Sequence, residues 1–398
     1  MHPYPGRAGS RPRRALTALL AAAVLAAVPL ATAPARAATG GPVLDRDFPD
    51  PDVVKVGGTY HAYATNGDGK NIRHATSTDL VHWSVAAADA LPAVGSWALP
   101  QASLVWAPDV FDNGSGLTMY YTARDRASDK QCIGAAKAAS PDGPFTPVGD
   151  GPLVCPAADG GAIDPSSYTE DGQRYLLWKN DGNCCGLDTW LHIQPVGRDG
   201  TSTTGAAVRL IRQDRPFEGN VIEAPTLVKR DGHYVLIYSA GSYAGDGYAT
   251  GYAVSAGLTG PYTKAAAPLM TTDSFAGTVR GPGGQDVVTG PDGRDRIVFH
   301  GWDPAYRYRA LYVADLGWAN GYPVVRGSKV VYQAENAAVH DAVVRWTAVP
   351  WGRSTMRTAT WSSASSRRRR ATTPCPCASA TARWTRRAPG ARPRTCSP

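Results

Sequence analysis

Three carboxylates recur at one place in a repeated phrase, and carboxylates placed that way can do acid–base chemistry. Asp50, Asp164 and Glu223 stand at or just before a proline that opens a strand-like run. The runs read Asp50-Pro51-Asp52-Val53-Val54, Asp164-Pro165-Ser166-Ser167-Tyr168 and Glu223-Ala224-Pro225-Thr226-Leu227. Taken singly, an Asp before a proline opens a turn and needs no function. If the copies face a common axis, however, the three acids meet in one pocket. One acid would protonate a leaving oxygen, a second would deprotonate a water across a sugar ring, and the third would keep the first protonated by its charge. Phe48, Trp106, Trp178 and Trp302 lie near these phrases as aromatic surfaces, and Phe48, Trp106, Asn180 and Trp302 are the expected substrate contacts. Glu218, five residues before Glu223, is a rival acid out of register with the repeat.

The phrase itself dictates the elements that must carry these groups. Ala107-Pro108-Asp109-Val110-Phe111 is a further copy, and Gln285-Asp286-Val287-Val288 is a fifth that lacks the proline. After each comes a Gly/Asp/Asn-rich turn and an aromatic strand, as in Asp171-Gly172 before Tyr175-Leu176-Leu177-Trp178. The prolines fall at 51, 108, 165 and 225. A period of several tens of residues, each unit strand-turn-strand, marks the blades of a propeller. Helical periodicity is absent from the middle of the chain. The expectation is an all-β, five-bladed β-propeller, each phrase its blade's innermost strand with the proline at the strand's first residue. Corners such as Ser77-Thr78-Asp79-Leu80-Val81-His82-Trp83 put turn residues before an aromatic that packs between blades.

Residues 1–37 read as a secretory signal. Arg7, Arg11, Arg13 and Arg14 precede an apolar stretch from Ala15 to Leu30 that is too short for a membrane span, and Ala35-Arg36-Ala37 is a cleavage site. Arg13-Arg14 leaves a twin-arginine signal open. The formal net charge of +8 is concentrated at the two ends; the body between them holds 24 Lys and Arg against 32 Asp and Glu. An acidic body argues against nucleic acid or an anionic membrane and suits a neutral ligand. In an exported protein, Cys132 and Cys155 could pair across a hairpin, and Cys184-Cys185 is either a vicinal disulfide or two half-bridges.

Phe48-Pro49-Asp50-Pro51-Asp52, Trp106-Ala107-Pro108-Asp109, Ile163-Asp164-Pro165-Ser166, Val221-Ile222-Glu223-Ala224-Pro225 and the corner at 77–83 occur together and in order. Over about residues 43–325 the chain thereby resembles glycoside hydrolase family 43. The resemblance implies a five-bladed propeller that hydrolyses glycosides with inversion. It makes Asp50 the general base, Asp164 the pKa-modulating acid and Glu223 the general acid. It also implies a structural Ca2+ in the channel, held through waters and His300. The sequence departs from many relatives at Gly283-Gly284-Gln285-Asp286, where they carry Gly-His. The expected partner is plant cell-wall polysaccharide, most of all α-L-arabinofuranose in arabinan or arabinoxylan, cut by a secreted monomer that binds neither nucleic acid nor membrane. β-Xylosidase or galactofuranosidase action and a non-catalytic sugar-binding propeller are the alternatives. A fructan-cleaving propeller is a weaker one, since its Asn-Asp-Pro-Asn opening is absent.

The propeller is expected over 38–328. Residues 329–345, with Val331-Tyr332-Gln333-Ala334-Glu335, resemble the start of a carbohydrate-binding β-sandwich module. From about Arg345 acidic residues cease, and 346–398 turn to Arg, Ser, Thr, Ala and Pro. That composition predicts a disordered tail, and a frameshift in GC-rich coding DNA would account for it. A basic tail for acidic polymers is the other reading.

Overall fold

In the computed structural model each phrase is the innermost strand of a four-stranded antiparallel sheet, and there are five such sheets. The residues described are 41–326 and two strands within 342–363. Blade one holds β1 (Asp52–Val56), β2 (Thr59–Ala64), β3 (Arg73–Ser77) and β4 (Ser84–Val85). Blade two holds β5 (Trp106–Asp112), β6 (Leu117–Arg124), β7 (Gln131–Ala138) and β8 (Thr146–Val148). Blade three is β9 (Ala162–Glu170), β10 (Gln173–Asn180), β11 (Trp190–Val196) and β12 (Val208–Arg212). Blade four follows with β13 (Ile222–Arg230), β14 (His233–Ala240), β15 (Ala249–Ser255) and β16 (Thr263–Lys264). Blade five is β17 (Arg280–Thr289), β18 (Asp295–Trp302), β19 (Arg309–Ala319) and β20 (Tyr322–Val325).

Turn chemistry makes the hairpins. Asp171-Gly172 and Asp231-Gly232 join inner to second strands as two-residue loops with positive φ throughout (50° and 79°, 49° and 77°). Asp-Gly is the pair such a turn favours, because its backbone twist matches that of the strands.

Each inner strand contacts the next, β1 to β5 to β9 to β13 to β17, and β17 closes on β1. The segment before β1 secures the closure: Val43 N–H donates to Leu311 O at 2.9 Å and Phe48 N–H to Arg309 O at 2.8 Å. The hydrophobic core divides into five clusters, one at each blade–blade interface. Strand alternation sorts them. In β2, Tyr60, Ala62 and Ala64 face blade five while Tyr63 faces blade two. The corner aromatics Trp83, Phe145 and Tyr262 pack into these clusters, as their sequence context suggested.

The proline does not start the strand in every blade. In β5, β9 and β13 it lies inside the strand, where pairing is interrupted, as between Trp106 and Asp109 or between Glu223 and Thr226. A bulge leaves a residue unpaired, so a missing N–H costs nothing there. Cys132 is bonded to Cys155, and Cys184 to Cys185.

The segments 1–37 and 329–341 lie outside the described residues. In the separate C-terminal unit, Ala342–Trp351 and Ser354–Ser363 pair as an antiparallel hairpin. Those two strands aside, the tail expected to be disordered lies outside the described residues.

Candidate active site

Five residues share one backbone conformation at the channel mouth. Asp50, Ala107, Asp164, Ala224 and Gly284 have φ of 52°, 42°, 53°, 49° and 56°, and each precedes the proline, or in blade five Gln285, that lines the channel. A left-handed residue with a side chain costs about 1 kcal/mol or more. Four repeats of that cost mark a kink the architecture requires, and it gathers equivalent side chains around one axis. Glycine is required in blade five: a Cβ on Gly284 would come within 2.5 Å of His300 Nδ1 and 2.8 Å of Asp50 Oδ1.

Asp50 is held as an anion. Its Oδ2 accepts from the Thr65 hydroxyl at 2.7 Å, and its Oδ1 lies 3.3 Å from Arg309 Nη1 and 3.2 Å from His300 Nδ1. Burial alone would raise its pKa; the Arg309 charge, with His300 and Thr65, holds it well below the usual carboxylate range. Asp164 is the opposite case. Burial, then the charges of Glu223 and Asp50, push it up to about 8 against the pull of Lys179 and of the Ala224 N–H. One Asp164 oxygen accepts that N–H at 2.9 Å. Glu223 sits one residue before the kink of blade four, with Oε1 accepting from the Tyr248 hydroxyl at 2.8 Å and Oε2 3.2 Å from Lys179 Nζ. Lys179 is wholly buried; burial works against its charge, but Glu223, Asp164 and Asp181 more than restore it. The Tyr248 pKa is raised by burial and by the three acids, so it remains a donor. Its ring stacks on His300 at 5.7 Å.

The structure thus brings Asp50, Asp164 and Glu223 together and adds Arg309, Lys179, Tyr248 and Thr65. No repeat position marks these four, which come from the second and third strands of their blades or the turns beside them. Trp106 and Trp302 are partly exposed. Trp302 donates from Nε1 to Tyr243 O at 2.7 Å, and Tyr243, 54% exposed, lies under the Arg309 guanidinium at 5.1 Å.

Two expected substrate contacts are corrected. Phe48 is buried in the cluster between blades one and five. Asn180 is buried and spent on the fold: its amide donates to Asp159 O and Asp188 O and its oxygen accepts Trp190 N–H. Trp178 also turns away from the channel, stacking on His192 at 3.9 Å. Glu218 is fully buried and held by Lys264 at 2.8 Å, by the Tyr238 hydroxyl and by two backbone N–H groups, so it braces blade four.

Deeper in the channel, two residues beyond each kink, lie Asp52, Asp109 and Asp286 with Ser166 and Thr226. Each acid accepts a backbone N–H from the next blade: Asp52 from Val110, Asp109 from Ser167 and Asp286 from Val53, all at 2.9 Å. Burial raises all three, Asp109 to about 6 and Asp286 to about 7.

A five-bladed propeller with buried, oppositely tuned carboxylates at its channel mouth is the build of a carbohydrate hydrolase. The family model for glycosyl hydrolases family 43 matches residues 39–323, and the chain belongs to that family. It is 27% identical to the extracellular endo-α-(1→5)-L-arabinanase 1 of Bacillus subtilis over 308 residues, 73% of this chain and 91% of the relative. It is 25% identical to a β-D-galactofuranosidase of Aspergillus niger, over 68% of this chain and 78% of that one. Among solved structures it resembles a thermostable family-43 glycoside hydrolase (TM-score 0.62, 26% identity, 73% of this chain and 96% of the other). An endo-1,4-β-xylanase from Bacteroides thetaiotaomicron is similar (TM-score 0.61, 27% identity, 72% and 96%).

Proposed function

We propose that this glycoside hydrolase is exported and cleaves α-L-arabinofuranosyl bonds of arabinan or arabinoxylan with inversion. In this reading Asp50 takes the proton of the attacking water, Glu223 protonates the leaving oxygen, and Asp164 governs the charge state of the pair. The observation that carries it is the split in protonation between neighbours: Asp50 is kept ionised by Arg309 and His300 while Asp164 keeps a proton at neutral pH. A base and an acid with pKa values pushed apart are what acid–base hydrolysis needs. Lys179 and Tyr248 orient Glu223, the proposed donor to the leaving oxygen. Trp106, Trp302 and Tyr243 supply aromatic surface at the rim. Arabinanases recur among the similar curated proteins, which favours arabinose over xylose. Export rests on the basic and apolar start of the chain and on the extracellular relative.

Product analysis on debranched arabinan, arabinoxylan and xylo-oligosaccharides, with the first-formed anomer followed by NMR, tests both parts. Arabinose or arabino-oligosaccharides with inverted configuration are expected. A retained anomer ends the mechanism, and release of xylose alone ends the substrate assignment.

We also propose the channel Ca2+. His300 Nε2 is buried and without a partner, so it would be one nitrogen in a shell whose other ligands are the water oxygens that calcium prefers. That nitrogen has a free lone pair when Nδ1 donates to Asp50. When Nδ1 instead accepts the Asp50 N–H, 3.1 Å away, Nε2 carries the hydrogen. A bound cation would add positive charge beneath the acids. Calcium titration of chelator-treated protein, read as a rise in Tm lost in His300→Ala, tests it; no rise in the wild type ends it.

A further inference from the structure

Between blades one and two, away from the catalytic groups, three metal-ligating side chains converge that the proposed hydrolysis does not use. His61 on β2 and His74 on β3 are 5% and 2% exposed. Asp142 sits on the turn between β7 and β8, its side chain 72% exposed. His61 Nδ1 lies 3.1 Å from His74 Nε2 and 3.8 Å from Asp142 Oδ1, and the three donor atoms all fall within 4.8 Å of one another.

We propose that His61, His74 and Asp142 form a divalent-cation site, matched to Zn2+, that clips blade one to blade two. Geometry is the first argument. Tetrahedral zinc with bonds of about 2.0–2.2 Å sets its ligand atoms roughly 3.3–3.5 Å apart. The observed 3.1 and 3.8 Å bracket that spacing, and the exposed Asp142 has room to close the remainder. Ligand chemistry is the second. Two imidazoles and one carboxylate are a borderline donor set that suits zinc and disfavours calcium or magnesium, which take oxygen.

Support around the ligands is the third argument. Tyr63 stacks on His74 at 4.9 Å and donates its hydroxyl to Pro141 O, which ties the Asp142 turn to the blade that bears the histidines. The turn is also pinned from its other side, since Phe145 N–H donates to Ala90 O at 2.8 Å. His61 shares with Tyr63 the face of β2 that looks toward blade two, so the carboxylate meets the imidazoles where these two blades pack together. A fourth position, on the solvent side beside Asp142, is left to water.

The test uses the full-length protein stripped with EDTA and titrated with ZnCl2 by calorimetry, with Tm recorded with and without zinc. One equivalent should bind and raise Tm. Asp142→Asn, an exposed change that leaves the fold alone, should weaken binding about tenfold or more, and His74→Gln should abolish it. Hydrolysis by both variants should match the wild type, which separates this site from the one at the channel mouth. Neither variant touches His300, so zinc taken up equally by wild type and both variants overturns the proposal. No uptake by the wild type also overturns it and leaves a plain His61–His74 hydrogen bond.

Discussion

Lys179 Nζ lies 3.2 Å from Glu223 Oε2, and the lysine has no exposed surface. This buried cation pulls the pKa of the neighbouring Asp164 down. Its removal should therefore raise the pKa of Asp164. In Lys179→Met the alkaline limb of the kcat/KM profile is expected to move to higher pH. The variant should also be less stable by about 3–5 kcal/mol, since breaking a buried pair strands a charge. An alkaline limb that stays put or moves down would count against this role.

In the wild type, activity should fall as pH rises through about 8, where Asp164 gives up its proton. Asp50 is held below the usual carboxylate range, so no acid limb is expected from it above about pH 4. Glu223→Gln removes the neighbouring charge that raises Asp164 most, and NMR titration of Asp164 should find its pKa lowered. An unmoved titration in that variant would uncouple the two acids.

Asp50→Asn and Glu218→Gln should fail in opposite ways. The first removes the anion at the mouth and should cut kcat by about 10²–10⁴-fold with little change in Tm. The second leaves the buried Lys264 only its contact with the exposed Asp214, at 3.1 Å, and should cost about 3 kcal/mol of stability. Its folded fraction should still turn over. Steady-state kinetics alongside calorimetry separate the two, and an inactive but fully stable Glu218→Gln would return that residue to candidacy as the acid.

The deep carboxylate ring predicts a pH-dependent stability. Asp286 is raised to about 7 in the folded chain, against about 3.9 unfolded. Between those values the unfolded chain has lost a proton the folded chain keeps, so stability is lost as pH rises through about 7. Asn keeps the acceptor for Val53 N–H, gives up the one for Val287 N–H, and removes the cost of the buried charge, which is the larger effect at pH 8. Asp286→Asn should therefore melt higher at pH 8, by about 2–4 °C for each 1 kcal/mol gained, with the gain vanishing near pH 4. A lower melting point at pH 8 would contradict this sign.

Much of the architecture was legible because a propeller repeats its local instructions. The phrase recurs once per blade, with its proline in four of the five, and a Gly-containing turn follows each copy, so the period announced five sheets, and the recurrence of Asp50, Asp164 and Glu223 announced the mouth. Less legible was the side each residue takes. Strand alternation sends neighbours to opposite faces, and a bulge inside β5, β9 or β13 resets the count, so Phe48, Trp178 and Asn180 read as channel residues although they pack into the fold.

By itself, then, the sequence determined the blade count, the inner strands and the three acids, since these follow from patterns local to each repeat. Only the tertiary structure decided that the Asp50 pKa is pushed down and the Asp164 pKa up. Protonation depends on burial and on the charges of Arg309, Lys179 and Glu223, groups far apart along the chain that the closed ring brings within a few ångströms. Packing of blade two on blade one likewise sets Asp142 beside His61 and His74, a meeting no local pattern in the chain could announce.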